Sequence, residues 1–475
     1  MRAVLLATAV VLLAGCPQTD FLNAPPLTQL YFPTALVHVD VPNREEGVLF
    51  VTNSNHDKRF ASGSIMALEL DALGLPPLGT PVPASGAAQL ADLKVDETRS
   101  VQVATFGAQL DSLRLSADRL RLFLPTRSEG MRLYRVEASF AADGTPTLAC
   151  LGETPVDQPR NCVTTGVSLT PKALEQTPSG VPRAPHPYGV SVATRPCVAD
   201  AECGDGRSCA AGRCLDTDGA PFADVFVGHL TQADSPVLTN TNLRAYLVRV
   251  DSDAFTVAAE NFIELGPGAT NGVVANDGWV FTSGRVVSPA PNLLRSVSRA
   301  GGVYSSGLEY SYRVSDSRGV ALSSDGKRLY LVGRVPDALL VVSVEDPTVP
   351  RFVRGVVLPD APNEVRVISR PGRGDLVVVT STSTGSIAFY DDDVGDLVGG
   401  VTGLGTQPFG LAVDHRGTAA RLYVSNFGDG RVAVVDVPDL SRPQDARLVA
   451  HLGSQQTCLT RGPTSPACLA LGGVQ

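Results

Sequence analysis

Tryptophan occurs once, methionine three times and lysine at only Lys58, Lys94, Lys172 and Lys327 in a chain of 475 residues. The scarcity of lysine reads as GC-rich coding bias and carries no function. Positive charge is in deficit, with 39 Lys and Arg against 48 Asp and Glu and a net charge of -9, which excludes a general nucleic-acid binder. Long stretches of helical periodicity are few. Glycine (46) and proline (35) are abundant instead, which favours many short strands joined by turns over a helix bundle. Hydrophobic residues make up 43% of the chain, enough for a large core and too many for disorder along most of its length.

The N-terminus carries one positive charge at Arg2, an apolar run from Ala3 to Leu13, and then Leu13-Ala14-Gly15-Cys16. The run is too short for a spanning anchor and reads as an export signal over residues 1–15. Small residues directly before a cysteine let a peptidase approach the backbone, and the segment resembles the bacterial lipoprotein lipobox. That resemblance implies lipidation of Cys16, which becomes the mature N-terminus, and anchoring to the membrane by acyl chains. Pro17 stands where an Asp would resemble an inner-membrane retention signal, so an outer-membrane lipoprotein, periplasmic or surface-exposed, is expected. Residues 16–30, with Asn23-Ala24-Pro25-Pro26, read as a tether.

With Cys16 assigned to lipid, eight of the nine cysteines remain, the even count that disulfides need in an exported chain. Cys150 and Cys162 flank one loop and Cys458 and Cys468 another, so both are expected to pair locally. Between them, Cys197, Cys203, Cys209 and Cys214 are separated by five, five and four residues in a stretch with almost no large apolar side chains. Such a segment cannot build a core and needs cross-links; its four cysteines allow three pairings, and spacing does not choose among them. A zinc site is disfavoured by the exported setting and the absence of CxxC units. Residues 195–219 thus read as a small knob on a loop, resembling Cys-rich insertions in secreted proteins of myxobacteria and their relatives.

One phrase recurs along the chain. Its fullest copy runs Gln407-Pro408-Phe409-Gly410-Leu411-Ala412-Val413-Asp414, then Arg421-Leu422-Tyr423-Val424-Ser425-Asn426, then Gly430-Arg431-Val432-Ala433-Val434-Val435-Asp436. Alternation places Leu411, Val413, Leu422 and Val424 on buried strand faces, and Asp-x-x-Gly and Asn-x-x-Asp-Gly supply the turns. Other copies start at Phe32, Leu110, Pro187, Thr270, Ser317 and Pro362, seven in all, the last four about 45 residues apart, the length of a four-stranded propeller blade. Cysteine loops and the Pro-rich run at 76–83 stretch the earlier intervals. Such units cannot each bury both sheet faces alone, so an all-β, seven-bladed β-propeller over residues 31–452 is expected, followed by a tail at 453–475. Phe50-Val51-Thr52-Asn53 and Leu422-Tyr423-Val424-Ser425-Asn426 resemble the repeat that names the YVTN family of β-propellers. The resemblance implies the fold and is nearly silent on activity, since that architecture hosts lactonases, dehydrogenases and binding modules.

Sequence chemistry beyond the fold is sparse. No HExxH, Walker loop, GxGxxG or GxSxG is present, and the six histidines include no i,i+2 pair that a strand could aim at one metal. Ser324-Asp325-Gly326-Lys327 has SxxK spacing but fills a turn between blade strands, as does Arg373-Gly374-Asp375. Asp391-Asp392-Asp393 with Asp396 lacks calcium-loop spacing and reads as a solvated blade edge. The sole Trp279 argues against the Trp-rich blades of quinone-dependent dehydrogenases. No metal and no cofactor are therefore assigned.

The site expectation is geometric. If each phrase opens the innermost strand, the residue before its Gly-like position lies near the channel mouth, where loops converge. Those residues are Thr34, Asp111, Tyr188, Asn271, Arg318, Asn363 and Phe409. The set suits a small polar ligand or a segment of an envelope protein. The expected role is a lipid-anchored envelope module for binding or scaffolding; the alternatives are a lactonase-like, metal-assisted hydrolase and a surface-layer structural protein.

Overall fold

Seven antiparallel blades follow one another along the chain in the computed structural model, the fourth and fifth joined into one sheet by the Arg285↔Asp316 pair; the structure describes residues 23–455 apart from 59, 129, 170–185, 205, 230–243, 268, 286–292, 306–313 and 315. Their innermost strands are Pro33–Val39, Asp111–Arg114, Pro187–Thr194, Ala269–Ala275, Asp316–Leu322, Pro362–Ile368 and Pro408–Arg416. From each the chain meanders outward through neighbouring strands, as in the seventh blade, where Ala419–Asn426, Arg431–Val437 and Arg447–Leu452 follow. Among the described residues helix is confined to 3-10 turns.

The sheets close into a ring because every interface between consecutive blades is filled. Seven apolar clusters correspond to the seven junctions, including the one between the last blade and the first, where Ala412, Tyr423 and Val434 meet Leu36, Leu49 and Met66. The two faces of each blade are thus both covered, which gives its middle strands nearly unbroken burial, as in Val48–Asn53 and Arg431–Val437.

Glycine in the repeated phrase has a packing reason. A Cβ on Gly410 would lie 2.2 Å from the carbonyl oxygen of Thr34 in the next blade, and one on Gly189 2.2 Å from that of Asn271. Hydroxyls on the second strand complete this junction: Ser425 accepts from the Gly410 N–H at 2.7 Å and donates to the Thr34 carbonyl at 3.2 Å. Thr380 bridges the Glu364 N–H and the Phe409 carbonyl in the same way, and Ser283 bridges Gly272 and Arg318.

The Pro-rich run at 76–83 is part of a strap that locks the ring. Leaving the first blade, the chain crosses to the seventh and lays Ala88–Leu90 parallel to Arg447–Leu452 before returning to Ser100–Val103. Gly79 donates its N–H to Asp436 at 3.0 Å, and Arg447 donates to the Gly79 carbonyl. The strap also covers what would otherwise be an open sheet edge.

The Cys-rich insertion leaves the third blade between Pro187–Thr194 and Ala223–His229 as a small hairpin, Ser208–Ala210 with Arg213–Leu215. Its pairing, left open by spacing, is Cys197–Cys209 and Cys203–Cys214; Cys150 pairs with Cys162 as expected. Cys16, Cys458 and Cys468 lie outside the described residues, as does the export signal. Ser324–Lys327 and Arg373–Asp375 both sit in turns as expected, between Asp316–Leu322 and Arg328–Arg334 and between Pro362–Ile368 and Leu376–Ser381. Asp391 departs from the solvated edge. It is buried and accepts two hydrogen bonds from the guanidinium of Arg370, at 2.7 and 2.8 Å, because Arg370 is buried in the facing turn and needs a counter-charge.

Candidate functional site: a cationic cup at the channel mouth

Six of the seven innermost strands carry the same irregularity. Their pairing with the second strand slips between Pro33 and Leu36, Pro187 and Val190, Thr270 and Val273, Ser317 and Val320, Pro362 and Val365, and Pro408 and Leu411. A bulge of this kind re-aims the side chains within it, here at the entrance of the central channel. The second blade shows the same slip between the isolated bridge Gly107↔Thr126 and the pair Asp111↔Phe123.

A cavity of about 280 Å³ opens at this entrance. Thr34, Tyr188, Arg318, Asn363 and Phe409 from the bulges line it, together with Ser54, Arg127, Arg334, Thr382 and Phe427, and with His56, Gly107 and Gln407. The second group follows a rule that the phrase does not display: each residue directly follows the second-strand residue paired with the start of the bulge, as Ser54 follows Asn53 and Phe427 follows Asn426.

The cup is floored. Phe409 packs against Ala108 and Tyr188 across the opening. Beneath, Gln109 of the second blade donates to Glu364 of the sixth at 2.9 Å, a bond between blades that are not neighbours and therefore one that spans the axis. Glu364 in turn pairs with Arg366.

The cup has one sign of charge. Arg127, Arg318, Arg334 and His56 line it, and none of the lining residues is acidic, although the whole chain is at -9. Arg318 is steadied by Asp316, to which it donates at 2.7 and 3.0 Å, and Arg334 by the Pro362 carbonyl at 2.7 Å. Arg127 lies over the Tyr188 ring at 5.7 Å. His56 sits in an aromatic rim, with ring centroids 5.1 Å from Phe106 and 5.2 Å from Phe427. Partial burial first, and then the charge of Arg127, hold His56 below the ordinary histidine value, so it is neutral at pH 7.

Of the seven residues expected at the mouth, Thr34, Tyr188, Arg318, Asn363 and Phe409 come together there. Asn271 occupies its bulge but is buried, with its Oδ1 unpartnered, and does not line the cup. Asp111 is a correction: the bulge position of the second blade belongs to Ala108, whose neighbour Gln109 donates its N–H to the Tyr188 carbonyl at 3.2 Å. Leu110, Leu113 and Leu115 are all buried, so alternation alone does not say which of them follows the bulge.

Asp111 instead lies deeper, on the channel wall. Its carboxylate accepts from the N–H groups of Ser112 at 2.8 Å and Val192 at 2.7 Å, yet burial outweighs them and pushes it up to about 6. A carboxyl raised in the fold is held more tightly by its proton than in the unfolded chain, so its contribution to stability is whole below about pH 4 and is lost as pH rises through 6. That contribution is on the order of 2–3 kcal/mol. Urea unfolding should show the wild type losing about that much more stability than Asp111→Asn between pH 4 and pH 7.5; parallel pH profiles of the two proteins would refute it.

Apart from the disulfide-bonded cysteines of the knob, one group among the described residues has donor atoms within 4.8 Å of one another, His38, Asp40 and Asp414. It lies toward the far ends of the innermost strands, roughly 15 Å of strand from the mouth. Arg416 already takes Asp414 Oδ2 at 2.6 and 2.8 Å, and His38 Nε2 is 2.9 Å from the Glu46 carbonyl. The donor set is thus occupied by a cation of the protein's own and does not suit a metal.

No protein-family model and no curated protein matches the chain. Among solved structures, Kuenenia stuttgartiensis hydrazine synthase is similar at 11% identity and a TM-score of 0.47, over 88% of this chain and 98% of that one. The periplasmic gluconolactonase PpgL of Pseudomonas aeruginosa shares 14% identity over 89% and 96%, with a TM-score of 0.45. A 6-phosphogluconolactonase assignment from Bacteroides fragilis shares 13% over 77% and 82%, with a TM-score of 0.39. These likenesses concern architecture and transfer no site residue. The propeller itself is established by the seven blades and the apolar clusters at their seven junctions.

Proposed function

We propose that this chain is a lipid-anchored, YVTN-like propeller of the cell envelope that binds a small organic anion bearing hydroxyl groups in the cup at its channel mouth. One observation carries the reading: three arginines and a histidine converge on a floored cavity without an acidic lining residue in an acidic protein. Arginine matches a carboxylate geometrically and electrostatically. Thr34, Ser54, Asn363 and Thr382 offer partners for hydroxyls, and Tyr188, Phe409 and Phe427 offer apolar faces for a carbon skeleton. The metal-assisted hydrolase is less well supported, since it calls for carboxylates where the cup has guanidinium groups.

Calorimetry with gluconate as the anionic probe and glucose as its uncharged counterpart tests the cup. Gluconate should bind and glucose should not; at roughly 1.5–3 kcal/mol per charged hydrogen bond, Arg127→Gln with Arg318→Gln should weaken binding about 100-fold or more. Affinity should rise as pH falls through the depressed titration range of His56, which lies below that of an ordinary histidine, because it then gains charge, and His56→Ala should remove that rise. Equal binding of the two sugars would reject the anionic cup, and turnover of a sugar lactone that is lost in the arginine variant would replace binding by hydrolysis. Anchoring has its own test: Cys16→Ser should move the protein from the membrane fraction to the soluble one and abolish fatty-acid labelling.

A further inference from the structure

Among the described residues, the junction between the third and fourth blades has the smallest apolar cluster of the seven. Among the described residues eight buried apolar side chains form its core, against eleven to twenty at the other junctions. A cleft of about 420 Å³ opens there, larger than the cup and on a different part of the molecule. Its floor is apolar, made by Phe226, Ile263, Val280 and Val297. Its wall carries Arg249 and Arg299.

The charges at the wall are unequally matched. Asp224, nearly fully buried, accepts hydrogen bonds from Arg195 at 2.6 Å and Arg299 at 2.5 Å, and Arg249 Nε forms an ion pair with it at 3.3 Å. Arg299 spends its other terminal nitrogen on the Thr194, Asn276 and Asp277 carbonyls. Arg249 does not. Ion-paired to Asp224 through Nε and with its side chain 40% exposed, it faces the cleft with terminal N–H groups that have no partner among the described residues. Even with Glu260 on the rim, three guanidinium groups stand against two carboxylates.

We propose that this cleft is a second binding site, for a small amphipathic anion whose apolar body lies on the Phe226–Val280–Val297 floor and whose single anionic head meets Arg249. The volume falls in the range that encloses a small molecule rather than a length of extended chain. An apolar floor beside an unspent, already oriented guanidinium selects for the two ends of such a ligand together. The site is independent of the reading given to the cup.

Decanoate is the probe, with decylammonium as the same chain bearing the opposite charge and calorimetry on the mature soluble chain as the readout. Decanoate should bind and decylammonium should not. Arg249→Gln should weaken decanoate at least tenfold, and Ile263→Trp, which fills the floor without touching a charge, should abolish binding; near-UV circular dichroism checks that both variants are folded. The Arg127→Gln, Arg318→Gln cup variant should bind decanoate as the wild type does. The proposal is overturned if wild type does not bind decanoate or binds decylammonium equally, or if the loss appears in the cup variant instead of the cleft variants. Tighter binding of an acidic peptide than of decanoate would likewise overturn the small-molecule assignment.

Discussion

Replacing Arg421 by methionine should cost about 3–5 kcal/mol of stability, the range for breaking one side of a buried ion pair. Arg421 is fully buried and holds the ring at the joint between its last and first blades. It donates to Asp436 at 2.7 and 3.2 Å, to Glu46 of the first blade at 2.7 Å and to the Pro76 carbonyl of the strap at 2.6 Å. Without it the carboxylate of Asp436, itself fully buried, keeps only the Gly79 N–H among these partners. Arg416 shares Glu46 and also takes the buried Asp414, but it lies partly in solvent itself, so Arg416→Met should cost less, about 1–2 kcal/mol. The double change Arg421→Met, Asp436→Leu should recover much of the loss, since a buried pair is often replaceable by apolar side chains. Urea unfolding of the three variants measures this, and a cost for Arg421→Met no larger than that for Arg416→Met would show that the joint is held by its apolar cluster alone.

The second large effect is local. The Cys-rich knob has almost no core, its buried cluster being cysteines and Phe222, on whose ring Arg195 and Arg207 lie at 4.4 and 3.6 Å. Its disulfides span 12 and 11 residues, and a cross-link closing a loop of that size is worth about 3 kcal/mol. Serine at Cys197, Cys203, Cys209 and Cys214 together should therefore unfold the knob while leaving the propeller's urea midpoint nearly unchanged, because the knob hangs between two strands of one blade and fills none of the junctions between blades. Limited proteolysis should then show cuts absent from the wild type, and these should fall within residues 196–222. A knob that resists protease without its disulfides, or a propeller that unfolds with it, would contradict this account.

How far the residues themselves announced these features follows from the range of the interactions involved. The blade phrase is local: strand, turn and strand are written within a few dozen residues, and so are the 12-residue spacing of Cys150 and Cys162 and the turns at Ser324–Lys327 and Arg373–Asp375. The glycine in PFGLAV and PYGVSV was visible as part of the phrase, but its cause, the carbonyl of the next blade 2.2 Å from where its Cβ would be, belongs to the ring. Arg127, Arg334 and Phe427 were passed over because they follow the second strand, whose ends differ in sequence from blade to blade. Lining up those ends against the bulged strand would have marked them. His56 was set aside as one of six scattered histidines; only the closing of the last blade on the first brings Phe427 to its side.

Asp111 and the strap show the same limit from the other direction. Alternation with a period of two says which face a residue takes and leaves its height along the channel undetermined, so a three-residue displacement in the second blade put Asp111 where Ala108 stands. The Pro-rich run looked like a spacer because nothing near it in the chain pairs with it; its partners, Arg421, Asp436 and Arg447, lie more than 300 residues away. By itself, then, the order of residues determined seven β units, their turns and the local cross-link at Cys150 and Cys162, since short-range hydrogen bonding and burial decide those. Tertiary structure alone decided which side chains share the cup, what floors it and where the third and fourth blades leave Arg249 facing a cleft, because each depends on which blades become neighbours once the ring has closed; the knob's pairing is local but is set by how its hairpin folds, which spacing does not show.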